Sequence, residues 1–509
     1  MVSSRSTGWI GALSDRRHLG VGLVCLAGIV AGMLALLARA PSQFGLLLCL
    51  GAFAVLGIVL GLGNPVLACV YLLIATFFRL AIPTATFPVD PFVIAFGGVV
   101  ASTWIWMGSR RRNPQVDPIL AVIVLYIAWN VISMVLPHVY AAGSPLDRKP
   151  FSVQRFIIIG IVMPLGMFLV GRAVFISRRA IRAMLWSAVG AAAYSAVVSI
   201  FQFTAPALVW PRYIVNDPRW VGRANGVFNQ PVVNGLVLIV GFLVATLIAS
   251  HAVESRLARL FAVVVAGASA YALYLTHTRA VWLSFGLVVL IGAVAGRGFR
   301  RGFVLTLVLM ALSIVSNWST FTSSDRSAGG VGSAGEVQDR LNSIATSIWA
   351  FQQKPLTGWG IGRFPAVNTY HHLQYSPEIP WERGFGIASH FDALGILVEL
   401  GIIGLALWIV ALVLIYTKLV RATTQLPAGE MYGRPLGITA FMCLVAQTTT
   451  SLTVDLRFFD FPNIIVMALA GAAIGWQRER ARAAAAIQAG NGAPISSKLY
   501  SPIRVANHQ

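Results

Sequence analysis

The stretch ASHFDALGILVELGIIGLALWI, Ala388 to Ile409, begins with a polar turn and continues as a bilayer-length apolar body. From Ala393 to Tyr416 the only charged residue is Glu399, and a helix needs about 20 predominantly apolar residues to cross the hydrocarbon core. The stretch therefore reads as a transmembrane helix with Ser389, His390 and Asp392 at its mouth. Apolar runs of similar length recur along most of the chain. The whole is 57% hydrophobic and 11% charged, with a mean hydropathy of +0.77, whereas a soluble domain carries about 25% charged residues. Barrel strands of about ten alternating residues do not fit these runs. The expected fold is all-α, a polytopic transmembrane helical bundle.

Fourteen spans are predicted, at 19–39, 43–63, 65–82, 91–108, 117–137, 153–175, 183–204, 231–250, 260–276, 280–296, 303–317, 391–416, 436–453 and 461–476. The turns at 61–65 and 277–280 are tight enough to be re-entrant breaks, so the expectation is 12–14 spans. No small-residue cleavage site follows the basic first 18 residues, so the first run is expected to be a retained span. The organisation predicted is a cytoplasmic N-terminus (1–18), an N-terminal bundle (19–317), a large extracytoplasmic loop (318–390), C-terminal spans (391–476) and a disordered cytoplasmic tail (477–509). Within the loop, apolar residues at 341, 344, 348 and 351 repeat with helical period. They predict an amphipathic helix at the membrane surface, with Trp349 at headgroup depth. KPLTGWGIGRF then reads as a turn rather than a phosphate loop, because no strand precedes its glycines.

The net charge of +21 comes from residues scattered between spans, the pattern of a bacterial inner-membrane protein with its basic connections inside. Nucleic acid is not an expected partner; membrane lipids are. Arginines persist on the opposite side all the same, among them Arg223, Arg279 and Arg340. Arginines near helix ends ordinarily snorkel to headgroups, but Arg279 sits in a turn too short to be an independent domain. A guanidinium stays charged and pairs bidentately with phosphate oxygens, so cations at the outer membrane edge suit a lipid-linked diphosphate. His390 opens a span on that same side. A neutral imidazole can take a proton from a sugar hydroxyl; an interfacial histidine bonding headgroups is the simpler reading. Asp392 and Glu399 share a helical face that His390 does not, so no dyad within this helix is predicted. Cys25, Cys49, Cys69 and Cys443 all lie in apolar runs, and no cluster has metal-ligand spacing; neither a metal nor a cofactor is expected.

Four segments in order resemble the O-antigen ligase and polymerase superfamily of bacterial membrane glycosyltransferases: RANGVFNQPVVNG (223–235), THTRAVWLSFGLVVLIG (276–292), DRLNSIATSIWAFQQKPLTGWGIGRF (339–364) and SHFDALGILVELGIIGLALWI (389–409). The resemblance spans roughly residues 150–420. It implies an inverting, metal-independent transfer of a glycan from a polyprenyl (undecaprenyl) diphosphate carrier to an acceptor hydroxyl outside the cytoplasm. The acceptor would be a lipid, a wall anchor or another glycan. By position it implies His390 as general base and Arg223, Arg279 and Arg340 as the donor diphosphate site. Two departures stand out: Phe391 where a small polar residue is common, and His277 where serine is common. The alternatives are a polysaccharide polymerase of the same superfamily, or a transporter of an anionic solute or lipid. No pseudo-repeat relates the halves, and the charges gather on one face, which counts against transport.

Overall fold

The computed structural model describes residues 64–81, 90–110, 112, 116–147, 150–325, 330, 335–379 and 386–488. The predicted spans at 19–39 and 43–63, the N-terminal 1–18, most of the glycine-serine stretch near 330 and the tail from 489 lie outside these residues. Each of the other predicted spans falls on a helix, and no strand occurs among the described residues. The helices are α1 (Pro65–Phe77), α2 (Pro91–Ser109), α3 (Pro118–Val135), α4 (Val153–Val174), α5 (Arg178–Thr204), α6 (Pro231–Ala249), α7 (Arg256–Tyr274), α8 (Arg279–Ala295), α9 (Arg300–Ser316), α10 (Gly335–Gln353), α11 (Phe364–Tyr370), α12 (Asp392–Gln425), α13 (Arg434–Thr450) and α14 (Asp460–Gln488). Among the described residues, seven are long and apolar enough to cross a membrane: α2 to α7 and α12. The remaining predicted spans form helices that are shorter or more polar. The protein is thus an all-α, multi-pass helical protein.

Several helices start from the same short signal, a polar residue followed by proline. Asn64, Asp90, Asp117 and Gln230 each accept a backbone N–H from the first turn with the side chain. The following proline needs no intrahelical donor there and arrives with its φ already helical.

The chain divides into two units, Met1–Pro114 and Gln115–Gln509. In the first, α1 packs on α2, and Arg79 pairs with the N-cap carboxylate Asp90 at 3.1 Å. In the second, α6 is the central helix and is buried over nearly its whole length. The apolar half of α14, Phe461 to Trp476, is buried as well, and Gly471 and Gly475 let it run against the α4 carbonyls of Phe168 and Arg172. Helices of this kind associate through close packing of small residues rather than through water exclusion. By contrast, α9 buries only Phe303 and exposes Leu305, Val308, Leu309, Leu312 and Val315. That much bare apolar surface marks a lipid-facing side.

The helix predicted to end at 476 continues to Gln488, so the first part of the expected disordered tail is helical; its Arg- and Ala-rich sequence has high helix propensity. The amphipathic helix expected in the loop is α10, but its buried side is the small polar one. Asn342, Ser343, Thr346 and Ser347 are buried, while Val337 and Ile348 are exposed. The reason lies in the chain that packs there. Thr346 Oγ1 accepts the Leu373 N–H at 2.9 Å, and Asn342 Oδ1 accepts the Tyr375 N–H at 2.8 Å. Trp349 stacks on His371 at 4.6 Å and on Trp359 at 5.9 Å, so its ring is packed against other loop side chains.

Candidate active site

The mouth of α12 is built around a break. Gly401 has φ 66° and ψ −168° inside the helix, a conformation that side-chain-bearing residues avoid. In an unbroken helix the carbonyls of residues 398, 399 and 400 would accept the N–H groups four residues on. Here other partners take them. Trp359 N–H donates to Val398 O at 2.8 Å, Gly360 N–H to Glu399 O at 2.8 Å, and Trp129 Nε1–H to Leu400 O at 3.0 Å. In return, Ile402 N–H donates to Pro355 O at 2.8 Å. The turn predicted at 354–364 is therefore more than a turn: its main chain inserts into a membrane-type helix and satisfies the groups that the break frees. A Cβ on Gly401 would run into the Leu356 carbonyl.

The break accounts for Glu399, which the sequence left unexplained. Its Oε1 accepts Phe364 N–H at 3.2 Å, capping the start of α11, and its Oε2 pairs with Arg457 Nη1 at 2.8 Å. Arg457 also pairs with Asp455, at 2.6 Å. Asp392 Oδ1 accepts Leu456 N–H at 2.6 Å, and its own N–H donates to Ser451 O. The first turns of α12 are thus strapped to residues 451–457. Arg457 was missed in the sequence, although a signal existed. Two acids in one span need a buried counter-charge, and Arg457 is the only basic residue in the connection that follows α13.

The arginines come from two connections latched together. Ala224 N–H donates to Leu275 O at 2.8 Å. Arg223 donates from Nη2 to Thr278 Oγ1 at 2.7 Å and from Nε to Thr276 O at 3.3 Å, and its guanidinium lies over the Trp220 ring. Arg279 is the first residue of α8. Arg340 projects from α10, on the face shared by Ile344 and Ile348 at four-residue steps. It is half-buried, and among the described residues it has no hydrogen bond or carboxylate pair. Burial, together with the charge of Arg340, pulls the Arg223 guanidinium down to about 10. Burial and the charge of Arg279 lower Arg340 in turn. Asp339 opposes the shift in Arg340; guanidinium groups that feel one another's charge in this way favour an anion between them.

His390 belongs to the same neighbourhood. Ser389 Oγ accepts Phe391 N–H at 3.1 Å and donates to Phe391 O at 2.8 Å, fixing the entry to α12. The imidazole is half-buried and makes no hydrogen bond among the described residues. Its pKa is lowered to about 4, by burial first and then by Arg340, with Asp455 opposing. Arg223 and His390 thus each feel the charge of Arg340, and Arg340 feels that of Arg279. Asp392 and Glu399 face the strap instead. His371 is taken up elsewhere, bonded to the Tyr140 hydroxyl and stacked on Trp349. Among the described residues no group of three or more His, Cys, Asp or Glu is placed to hold a metal ion.

Residues 261–409 match a family model described as O-antigen ligase. The matched window runs from α7 across the long connection to just beyond the Gly401 break, so it contains Arg279, Arg340 and His390, while Arg223 and Arg457 lie outside it. The match supports membership of the O-antigen ligase superfamily, and with it an O-antigen ligase/polymerase-like membrane enzyme. No curated protein matches the chain.

Proposed function

We propose that this O-antigen ligase-like enzyme transfers a glycan from an undecaprenyl diphosphate carrier to an acceptor hydroxyl on the extracytoplasmic face of a bacterial inner membrane. The observation that carries this reading is the half-buried Arg340, whose charge is felt by Arg223 and His390 and which itself feels the charge of Arg279. The position of Arg340 beside Ile344 and Ile348 supports it further. A polyprenyl chain can follow that apolar stripe while its diphosphate meets the guanidinium groups at the stripe's edge. The facing compartment follows from the basic residues concentrated in the alternate connections.

In the reaction the acceptor oxygen attacks the anomeric carbon from the side opposite the diphosphate. The anomeric C–O bond breaks with its electron pair passing to the diphosphate, and the acceptor proton goes to His390. The leaving oxygens gain charge in that step, and guanidinium groups already in place stabilise it without reorganising. The anomeric centre inverts. A free imidazole with a pKa near 4 is a poor base at neutral pH. The dianionic donor works against this by offsetting the charge of Arg340, so His390 becomes more basic when the donor is bound.

The test is reconstitution with purified lipid-linked glycan and a candidate acceptor. A single transfer to a lipid or wall anchor identifies a ligase, and a ladder of lengthening repeats identifies a polymerase. If His390→Ala transfers glycan at the wild-type rate, the assignment of the base fails. If Arg279→Ala binds undecaprenyl diphosphate as tightly as wild type, the donor site lies elsewhere.

A further inference from the structure

His277 takes no part in the chemistry above, yet its geometry is the most constrained in the arginine latch. It has φ 44°, in the left-handed region that few residue types visit, with Asn, Asp and His enriched among them. It is only 6% exposed, walled edge-on by the rings of Phe203, Tyr274 and Trp282 at 6.0, 5.6 and 6.4 Å. Nδ1 lies 2.7 Å from Gly222 O. A carbonyl can only accept, so Nδ1 carries the proton. Gly222 immediately precedes Arg223, and His277 is two residues before Arg279. This single hydrogen bond therefore joins the main chain at one arginine to the main chain at the other. It lies alongside the Ala224–Leu275 bond and the Arg223 bonds to Thr276 and Thr278.

We propose that His277 is a positioning residue for the donor site, setting the separation of Arg223 and Arg279 so that both meet one diphosphate. The proposal rests on the functional reading above. The ring anchors the 220–224 connection in a way that a smaller side chain could not, because it fills the aromatic niche and reaches the Gly222 carbonyl at once. A bidentate cation pair is sensitive to spacing, so loosening the latch costs donor affinity before it costs anything else.

The test compares wild type, His277→Asn and His277→Ala for equilibrium binding of radiolabelled undecaprenyl diphosphate in nanodiscs, and for kcat and both KM values in the transfer assay. Asparagine tolerates the left-handed backbone but is too short to keep the bond, so it separates the latch from backbone strain. Both variants are expected to bind the lipid diphosphate about tenfold more weakly, the scale of one well-made hydrogen bond. Donor KM should rise in parallel, with acceptor KM unchanged and kcat at saturating donor within about twofold. Unchanged donor affinity in His277→Asn overturns the proposal. So does failure of both variants to fold, which would make His277 a residue of the bundle and not of the site. A wild-type protein that binds no undecaprenyl diphosphate refutes the functional reading itself, a different result from equal binding by wild type and variants.

Discussion

Binding an anion at Arg340 should make His390 more basic, and the direction of the effect follows from the site. The free imidazole is pulled from 6.5 to about 4, a preference for the neutral form of about 3.4 kcal/mol at 1.36 kcal/mol per unit. Burial is the larger cause and persists when the donor binds. Arg340 is the second cause, and a bound diphosphate offsets its charge. The pKa of His390 should therefore rise above about 4 when inorganic pyrophosphate or undecaprenyl diphosphate occupies the site. Linkage gives the same statement from the other side: the anion binds more tightly as pH falls from about 6 to about 4. Histidine-selective NMR titration in nanodiscs, with and without the anion, measures the shift directly, with His390→Gln assigning the resonance. An Arg340→Gln variant should start from a higher His390 pKa and respond less to the anion. A titration curve that does not move when the anion binds, or that moves downward, would refute the reasoning.

Other outcomes follow from the same geometry. His390→Ala should lower kcat by about 10²- to 10⁴-fold, the usual contribution of a positioned base, while binding of undecaprenyl diphosphate stays near wild type. Gly401→Ala should lower thermal stability in detergent, since a side chain there costs about 1–3 kcal/mol in backbone strain and also meets the Leu356 carbonyl; an unchanged melting temperature counts against the inserted loop. Glu399→Ala should destabilise by about 1–3 kcal/mol, because Arg457, 5% exposed, keeps Asp455 but loses Glu399 and Phe364 N–H loses its acceptor. Activity per folded molecule should fall much less than the yield. Stability should also decline as pH drops from about 6.5 through about 4. His390 has a depressed folded-state pKa, so the unfolded chain takes up its proton first.

Much of the bundle was legible because lipid imposes a simple pattern. Runs about 20 residues long predicted the apolar helices α1 to α9 and α12 to α14, and helical period in the loop predicted α10. The candidate site residues were picked out by a related rule: Arg223, Arg279, Arg340 and His390 are charged or titratable groups in connections where the basic-residue bias predicts few, and Arg340 shares electrostatic interactions with each of the other three. What escaped the reading depends on contacts between segments far apart in the chain. Gly401 inside an apolar run looks like a packing glycine, since nothing local shows that residues 355–362 will insert there. Glu399 stood out as an acid inside a span, but its ionic partner Arg457 lies 58 residues on, and the backbone group that Asp392 accepts, at Leu456, lies 64 residues on. The inverted burial of α10 escaped for a related reason: hydrophobic period locates a face without saying whether protein or lipid covers it.

The break at Gly401 also has a mechanical consequence. A continuous helix is a lever, and any tilt that the bilayer imposes through a change in thickness would swing its end by several ångströms. Because α12 is interrupted, the short segment from Asp392 to Leu400 is bonded to residues 359, 360, 451 and 456, while the longer segment is tied to Pro355 through Ile402 N–H. A tilt of the long apolar part therefore meets a joint at Gly401 that the loop braces on both sides, instead of passing along one rigid rod to the polar mouth.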